Sequence, residues 1–151
     1  MVVNIGNNDP VFSIGVVAEK FNVSVHTLRL YEAEGLIIPF KTETGRRRYS
    51  HSDVNRIGCI RAMIEKKGLN MVGIKSLLAL VPCWDLLPCS EKARKNCDAY
   101  TNTTQPCWSA KHKGDICAAE SCRECHVYQG LAHCYNFKEY MKNISDRGTD
   151  E

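Results

Sequence analysis

No apolar run in the chain reaches the ~18 residues that a membrane span needs. Met1–Phe12 has neither the basic start nor the apolar core of a secretory signal. The expectation is a cytoplasmic protein with no membrane partner. Compositional bias is missing too. With 44% apolar and 25% charged residues the chain falls within the globular range, which excludes disordered and collagen-like classes. Cysteine is almost missing from the first half, where Cys59 stands alone and is expected to be a small packed residue. The other eight, Cys83, Cys89, Cys97, Cys107, Cys117, Cys122, Cys125 and Cys134, crowd into the stretch 83–134. In a cytosolic chain such density points to metal or redox chemistry rather than to structural disulfides.

Charge follows the same division. Residues 1–81 hold eleven Lys and Arg against seven Asp and Glu, a net of +4, whereas residues 82–151 hold nine against ten. The first part is therefore the better partner for a polyanion. Its pattern is mainly helical. Ser13 caps a helix over 13–22 with Ile14, Val17, Ala18 and Phe21 on one face, and Asn22-Val23 makes a corner. Ser24 opens a second helix to about Glu34, stopped by Gly35. Two short helices around so tight a corner are a helix-turn-helix. Leu36–Phe40, broken by Pro39, reads as an edge strand, and Arg46–Tyr49 returns as its partner in a two-stranded wing. Ser50 and Asp53 make a capping box for a third helix ending at Gly68. Asn70 caps a fourth, which Pro82 closes.

The second helix is the candidate recognition helix. His26, Thr27 and Arg29 project from it, and Thr27 and Tyr31 can donate to phosphates. Arg29 can fork onto a guanine edge or bridge a phosphate. Arg46, Arg47 and Arg48 form a cation cluster in the wing, with Arg46 and Arg48 on one side and Arg47 on the other. From Phe12 to Leu80, through Ser24–Glu32, Gly35–Ile37, Gly45–Ser50 and Asp53-Val54, this order and spacing resembles the DNA-binding domain of the MerR family. Leu30–Glu32, Gly68–Asn70 and Gly73-Ile74 are most similar to its heat-shock repressor branch. The resemblance implies a winged helix-turn-helix homodimer on an inverted-repeat operator in double-stranded DNA, with RNA polymerase as a further partner at the promoter. It implies DNA contacts from Arg29 and Tyr31 on the helix and from Arg47 and Tyr49 in the wing. The pattern departs from the family after the fourth helix, where Pro82 and Pro88 oppose the long dimerisation helix usual there.

Composition divides the chain into a DNA-binding domain over 12–81, a cysteine-rich module over 82–134, and a short helix with a polar tail over 135–151. The module has weak periodicity and reads as small, irregular and stapled by metal. Cys83-Trp84 and Cys107-Trp108, 24 residues apart, suggest a degenerate two-fold repeat. Cys122-x-x-Cys125 is a two-ligand knuckle; with Cys107 and Cys117 it could close one site, while Cys83, Cys89 and Cys97 with Cys134 or a histidine close another. His112, His126 and His133 are spare donors. Zinc is the first choice of metal, and an iron–sulfur cluster the alternative. A rearrangement at Cys83 and Cys89 would reach the DNA-binding domain through the end of the fourth helix.

Three functions stay open. The first is a transcriptional regulator responding to metal or redox state. The second is an architectural, excisionase-like DNA-binding protein with a static zinc module. The third is a thiol–disulfide oxidoreductase using Cys122 and Cys125, against which stands the absence of a βαβ pattern.

Overall fold

The computed structural model describes residues 4–87, 89–110, 117, 121–130, 138, 141 and 142. Helix α1 (Ile14–Phe21) is capped by Ser13, whose hydroxyl accepts from Val16 N–H. It ends on Asn22 in the left-handed region (φ 51°), which turns the chain into α2 (Val25–Ala33). Ser24 caps α2 by accepting from Thr27 N–H at 3.1 Å. Helix α3 (His51–Lys67) starts at the expected capping box, with Ser50 and Asp53 each accepting from the other's backbone N–H. Gly68 (φ 65°) ends it, and Asn70 caps α4 (Met71–Leu78).

The wing is larger than expected. Strand β1 (Phe12–Ser13) pairs antiparallel with β3 (Arg47–Tyr49), which pairs antiparallel with β2 (Phe40–Lys41), giving the order β1-β3-β2. Phe12 is opposite Tyr49, and Arg48 is opposite both Ser13 and Phe40. The strand expected from Leu36 shrinks to Phe40–Lys41. Pro39 has no N–H for a ladder. The N–H and C=O of Ile38 are both bonded to side chains of the cysteine module, to Tyr128 and Arg123.

After α4 no long helix follows among the described residues. The chain makes short turns instead: α5 (Cys83–Leu86), α6 (Glu91–Lys95), α7 (Asp98–Thr101), 3-10 turns at Cys107–Ser109 and Cys122–Glu124, and α8 (His126–Gly130). The suggested duplication is visible in them. Pro82 C=O accepts from Asp85 N–H, and Pro106 C=O accepts from Ser109 N–H, both at 3.0 Å. Trp84 then packs edge-to-face on Tyr100 at 4.9 Å, and Trp108 on Tyr128 at 5.2 Å. Those tyrosines end the parallel segments Cys97–Tyr100 and Cys125–Tyr128. The repeated unit is thus Pro-Cys-Trp followed by Cys-x-x-Tyr.

One buried cluster joins both parts. Leu28, Tyr31, Leu36, Ile37, Ile57, Ile60 and Ile74 from the first part share it with Val127 from α8, and Cys83, Cys107, Trp108 and Cys125 pack against it. Cys59 is buried in α3 as expected, but it is also disulfide-bonded, against the expectation of a packed residue in a chain without structural disulfides. The expected helix over 135–144 falls almost wholly outside the described residues, of which Lys138, Met141 and Lys142 are helical. Cys134, His112 and His133 also lie outside them.

Candidate nucleic-acid interface and cysteine module

Helix α2 and the wing present one cationic rim. His26, Arg29 and Arg46 are exposed, Thr27 and Arg48 half-buried. Among the described residues Arg29, Arg46 and Arg48 form no ion pair. Thr27 Oγ1 lies 3.0 Å from the Ser24 hydroxyl that caps its helix. The alternation expected of the three arginines is present: Arg47 shares a strand face with buried Tyr49 and turns to α2, where Glu32 pairs with it. Glu32 also holds Lys41 of β2, at 3.0 Å. Burial pushes the Glu32 carboxyl up, but hydrogen bonds from Arg47 and Lys41 outweigh it and hold the group below the ordinary carboxylate value. One carboxylate on the recognition helix therefore grips both wing strands.

Two of the eight expected contact residues sit differently from the rest. Tyr31 is buried with Leu28, as expected of one apolar face of the helix, and Tyr49, expected as a wing contact, is buried as well. The Tyr49 hydroxyl has no hydrogen-bond partner among the described residues. Burial, and then the charge of Glu32, push it up to about 12, so it stays a proton donor.

The thiols do not fall into the two groups expected. Cys83 is hydrogen-bonded to Cys107, across the proposed division between sites. That contact lowers the Cys83 thiol to about 7 and raises Cys107. Cys122 and Cys125 act electrostatically on Cys107, and Cys117 feels Cys83, Cys125, Cys97 and Cys89. Burial pushes Cys117 up to about 11 and also raises Cys122. The donor chemistry fits a soft cation. Among the described residues, however, no three Cys, His, Asp or Glu side chains converge on a point that could hold a metal ion.

The second repeat unit also touches the first part of the chain directly, by a route other than the end of α4. Trp108 Nε1–H donates to Gly35 C=O at 2.6 Å. Gly35 (φ 74°) sits where a side chain would be strained, and a Cβ there would lie 2.1 Å from Ser109 Oγ, so that Ser109 would have to shift. Ile38 N–H donates to the Tyr128 hydroxyl at 2.8 Å. Arg123, 6% exposed, donates to Ile38 C=O at 2.6 Å and to both oxygens of Asp53 at 2.9 and 2.7 Å. Arg56 of α3 lies over the Tyr128 ring, 3.6 Å from its centre, and donates to Tyr128 C=O. Sequence reasoning missed Asp53 as an ion-pair partner, and Arg56 and Arg123 altogether. The available signal was the position of Arg123 between the two knuckle cysteines.

A model of the family described as "MerR HTH family regulatory protein" matches residues 12–80. Over 71 residues the chain is 37% identical to the HTH-type transcriptional regulator GlnR of Bacillus anthracis, covering 47% of this chain and 54% of that one. It is 34% identical over 71 residues to the heat shock protein HspR of Streptomyces coelicolor, covering 47% of each. It is 41% identical over 71 residues to a mercuric resistance operon regulatory protein of Bacillus cereus, covering 46% of this chain and 53% of that one. The chain spans about half the length of the curated relatives it matches. No helix among the described residues is long and apolar enough to cross a membrane.

Proposed function

Since residues 12–80 are a MerR-family helix-turn-helix domain, we propose that the chain is a cytoplasmic transcriptional regulator whose grip on DNA follows the metal or redox state of its cysteine module. The observation that carries this reading is the placement of the module. It lies against Gly35, Ile38 and Asp53, between the recognition helix and the wing, so a change in it reaches the surfaces that face DNA. His26, Thr27, Arg29, Arg46 and Arg48 supply the outward rim. Arg47 is held inward by Glu32 and sets the wing's angle, with Tyr49 behind it as a buried donor. The reader is a homodimer on an inverted repeat, because a short half-site gains specificity from two-fold symmetry.

Zinc, and after it an iron–sulfur cluster, suits the thiols Cys83, Cys107, Cys117, Cys122 and Cys125 by donor type. Such a group would supply folding free energy to short helices that cannot stand alone. An oxidoreductase role for Cys122 and Cys125 is set aside: the named relatives are regulators, and the sheet is a three-stranded antiparallel wing rather than a βαβ unit.

The test takes protein purified without oxygen and selects duplexes from a randomised pool. Their affinity is then measured for the zinc-loaded, chelator-stripped and oxidised protein. A change of about 5–150-fold between states is expected, the usual range of coupling between two sites. Equal affinity in all folded states would replace sensing with the static architectural role.

A further inference from the structure

The wing is a hairpin with two roots. One is Ile38, two residues before β2. The other is Ser50, which follows Tyr49 at the end of β3 and caps α3. Arg123 joins them, the first directly and the second through Asp53. Its Nη1 donates to Ile38 C=O, while Nη1 and Nη2 donate to the carboxylate of Asp53. The same carboxylate accepts from Ser50 N–H at 2.7 Å and from Ser50 Oγ–H at 3.0 Å. One guanidinium therefore spans the base of the wing, and both members of the ion pair are almost fully buried.

Arg123 is also the second residue of the turn Cys122–Cys125, closed by Cys125 N–H on Cys122 C=O at 3.2 Å. A bond that draws the two sulfurs together, or onto one ion, pulls on both ends of this four-residue turn and so on Arg123 between them. The guanidinium fork is rigid, and bidentate pairs are sensitive to angle. A rotation at the cysteines therefore appears at the wing roots as lost or realigned hydrogen bonds. Tyr128 reinforces the connection, because its hydroxyl holds the N–H of the same Ile38 whose C=O Arg123 holds.

We propose that Arg123 is the positioning residue through which the state of Cys122 and Cys125 sets the angle of the DNA-binding wing. This inference rests on the regulatory reading above and names its route. In the oxidised state the two thiols of the turn would form one disulfide. Two protons and two electrons would leave to an added oxidant such as diamide, which is reduced to its hydrazine. Metal loading would instead exchange each thiol proton for a bond to zinc.

The experiment compares full-length wild type with Arg123→Lys, which keeps the charge and loses the fork. Duplex affinity and amide exchange at Ile38, Phe40, Lys41 and residues 47–50 are measured in the reduced, zinc-loaded and diamide-treated proteins. In wild type the wing amides and the affinity are expected to change together, by about 5–150-fold in affinity. In Arg123→Lys the affinity is expected to differ between states by no more than about 2-fold, roughly 0.4 kcal/mol. A variant that responds as wild type does would overturn the route and leave sensing intact. Wild type that changes in neither readout would overturn sensing and the route together. Should the variant fail to fold, wild type alone decides: an affinity change with the wing-root amides unmoved rejects the clasp, and a matching change upholds it.

Discussion

Asp53 holds more than a helix cap usually does. Its carboxylate accepts from Ser50 twice and from Arg123 twice, and it is 3% exposed. Asn at this position would keep the size and remove the charge, leaving Arg123 buried without its counter-ion. Breaking a buried pair from one side costs about 3–5 kcal/mol. Urea unfolding of Asp53→Asn should show a loss of that order; a loss under about 1 kcal/mol, ordinary for a cap alone, would mean that the ion pair contributes little. Tyr49 makes the opposite case. Its hydroxyl has no partner among the described residues, so Tyr49→Phe should leave folding stability unchanged or slightly raised. If a DNA phosphate accepts from that hydroxyl, the variant should bind duplex about tenfold more weakly, as loss of a hydrogen bond to a charged group implies. Unchanged affinity would make Tyr49 a packing residue only.

The wing is where local sequence signals and tertiary context part company. Caps at Ser13, Ser24, Ser50 and Asn70 were legible because each acts within three residues of itself. The left-handed corner at Asn22 and the stop at Gly68 were legible for the same reason. Strand β1 was not, since a two-residue strand carries no periodicity and exists only because Tyr49 and Arg48 lie beside it. The burial of Tyr31 was legible, because its spacing from Leu28 puts the two on one helix face, whereas the burial of Tyr49 in a three-residue strand was not. The three wing arginines are unequal for a tertiary reason, the carboxylate of Glu32. Arg46→Ala and Arg48→Ala should each lower the slope of log affinity against log salt by about 0.9, the value for one phosphate contact. Arg47→Ala should instead weaken binding through the wing's placement, with a smaller change in slope. Equal slopes for all three variants would show that the Glu32 clamp does not govern Arg47.

At the scale of the whole molecule, the change in composition at Pro82 does not mark a physical separation. Val127 completes the core of the first part, and Gly35, Ile38 and Asp53 find partners in the second. Composition alone could not show this, because the joining residues are scattered singly at 108, 123, 127 and 128. A chain ending at Val81 would lack Val127 in its core and leave those polar groups to water. Its urea midpoint should fall below that of the full chain, and its wing amides should exchange faster. Equal midpoints would mean that the module adds no stability to its neighbour. The repeat has a consequence of a different kind. Both copies keep their Pro-Cys-Trp corner and their Trp–Tyr contact, yet the described bonds to the wing roots come from the second copy alone. Of two similar units, the second is therefore tied to the wing roots by more described bonds than the first. Substitutions around Trp84 and Tyr100 should therefore disturb the wing less than substitutions around Trp108 and Tyr128, a difference that amide exchange at the wing would show.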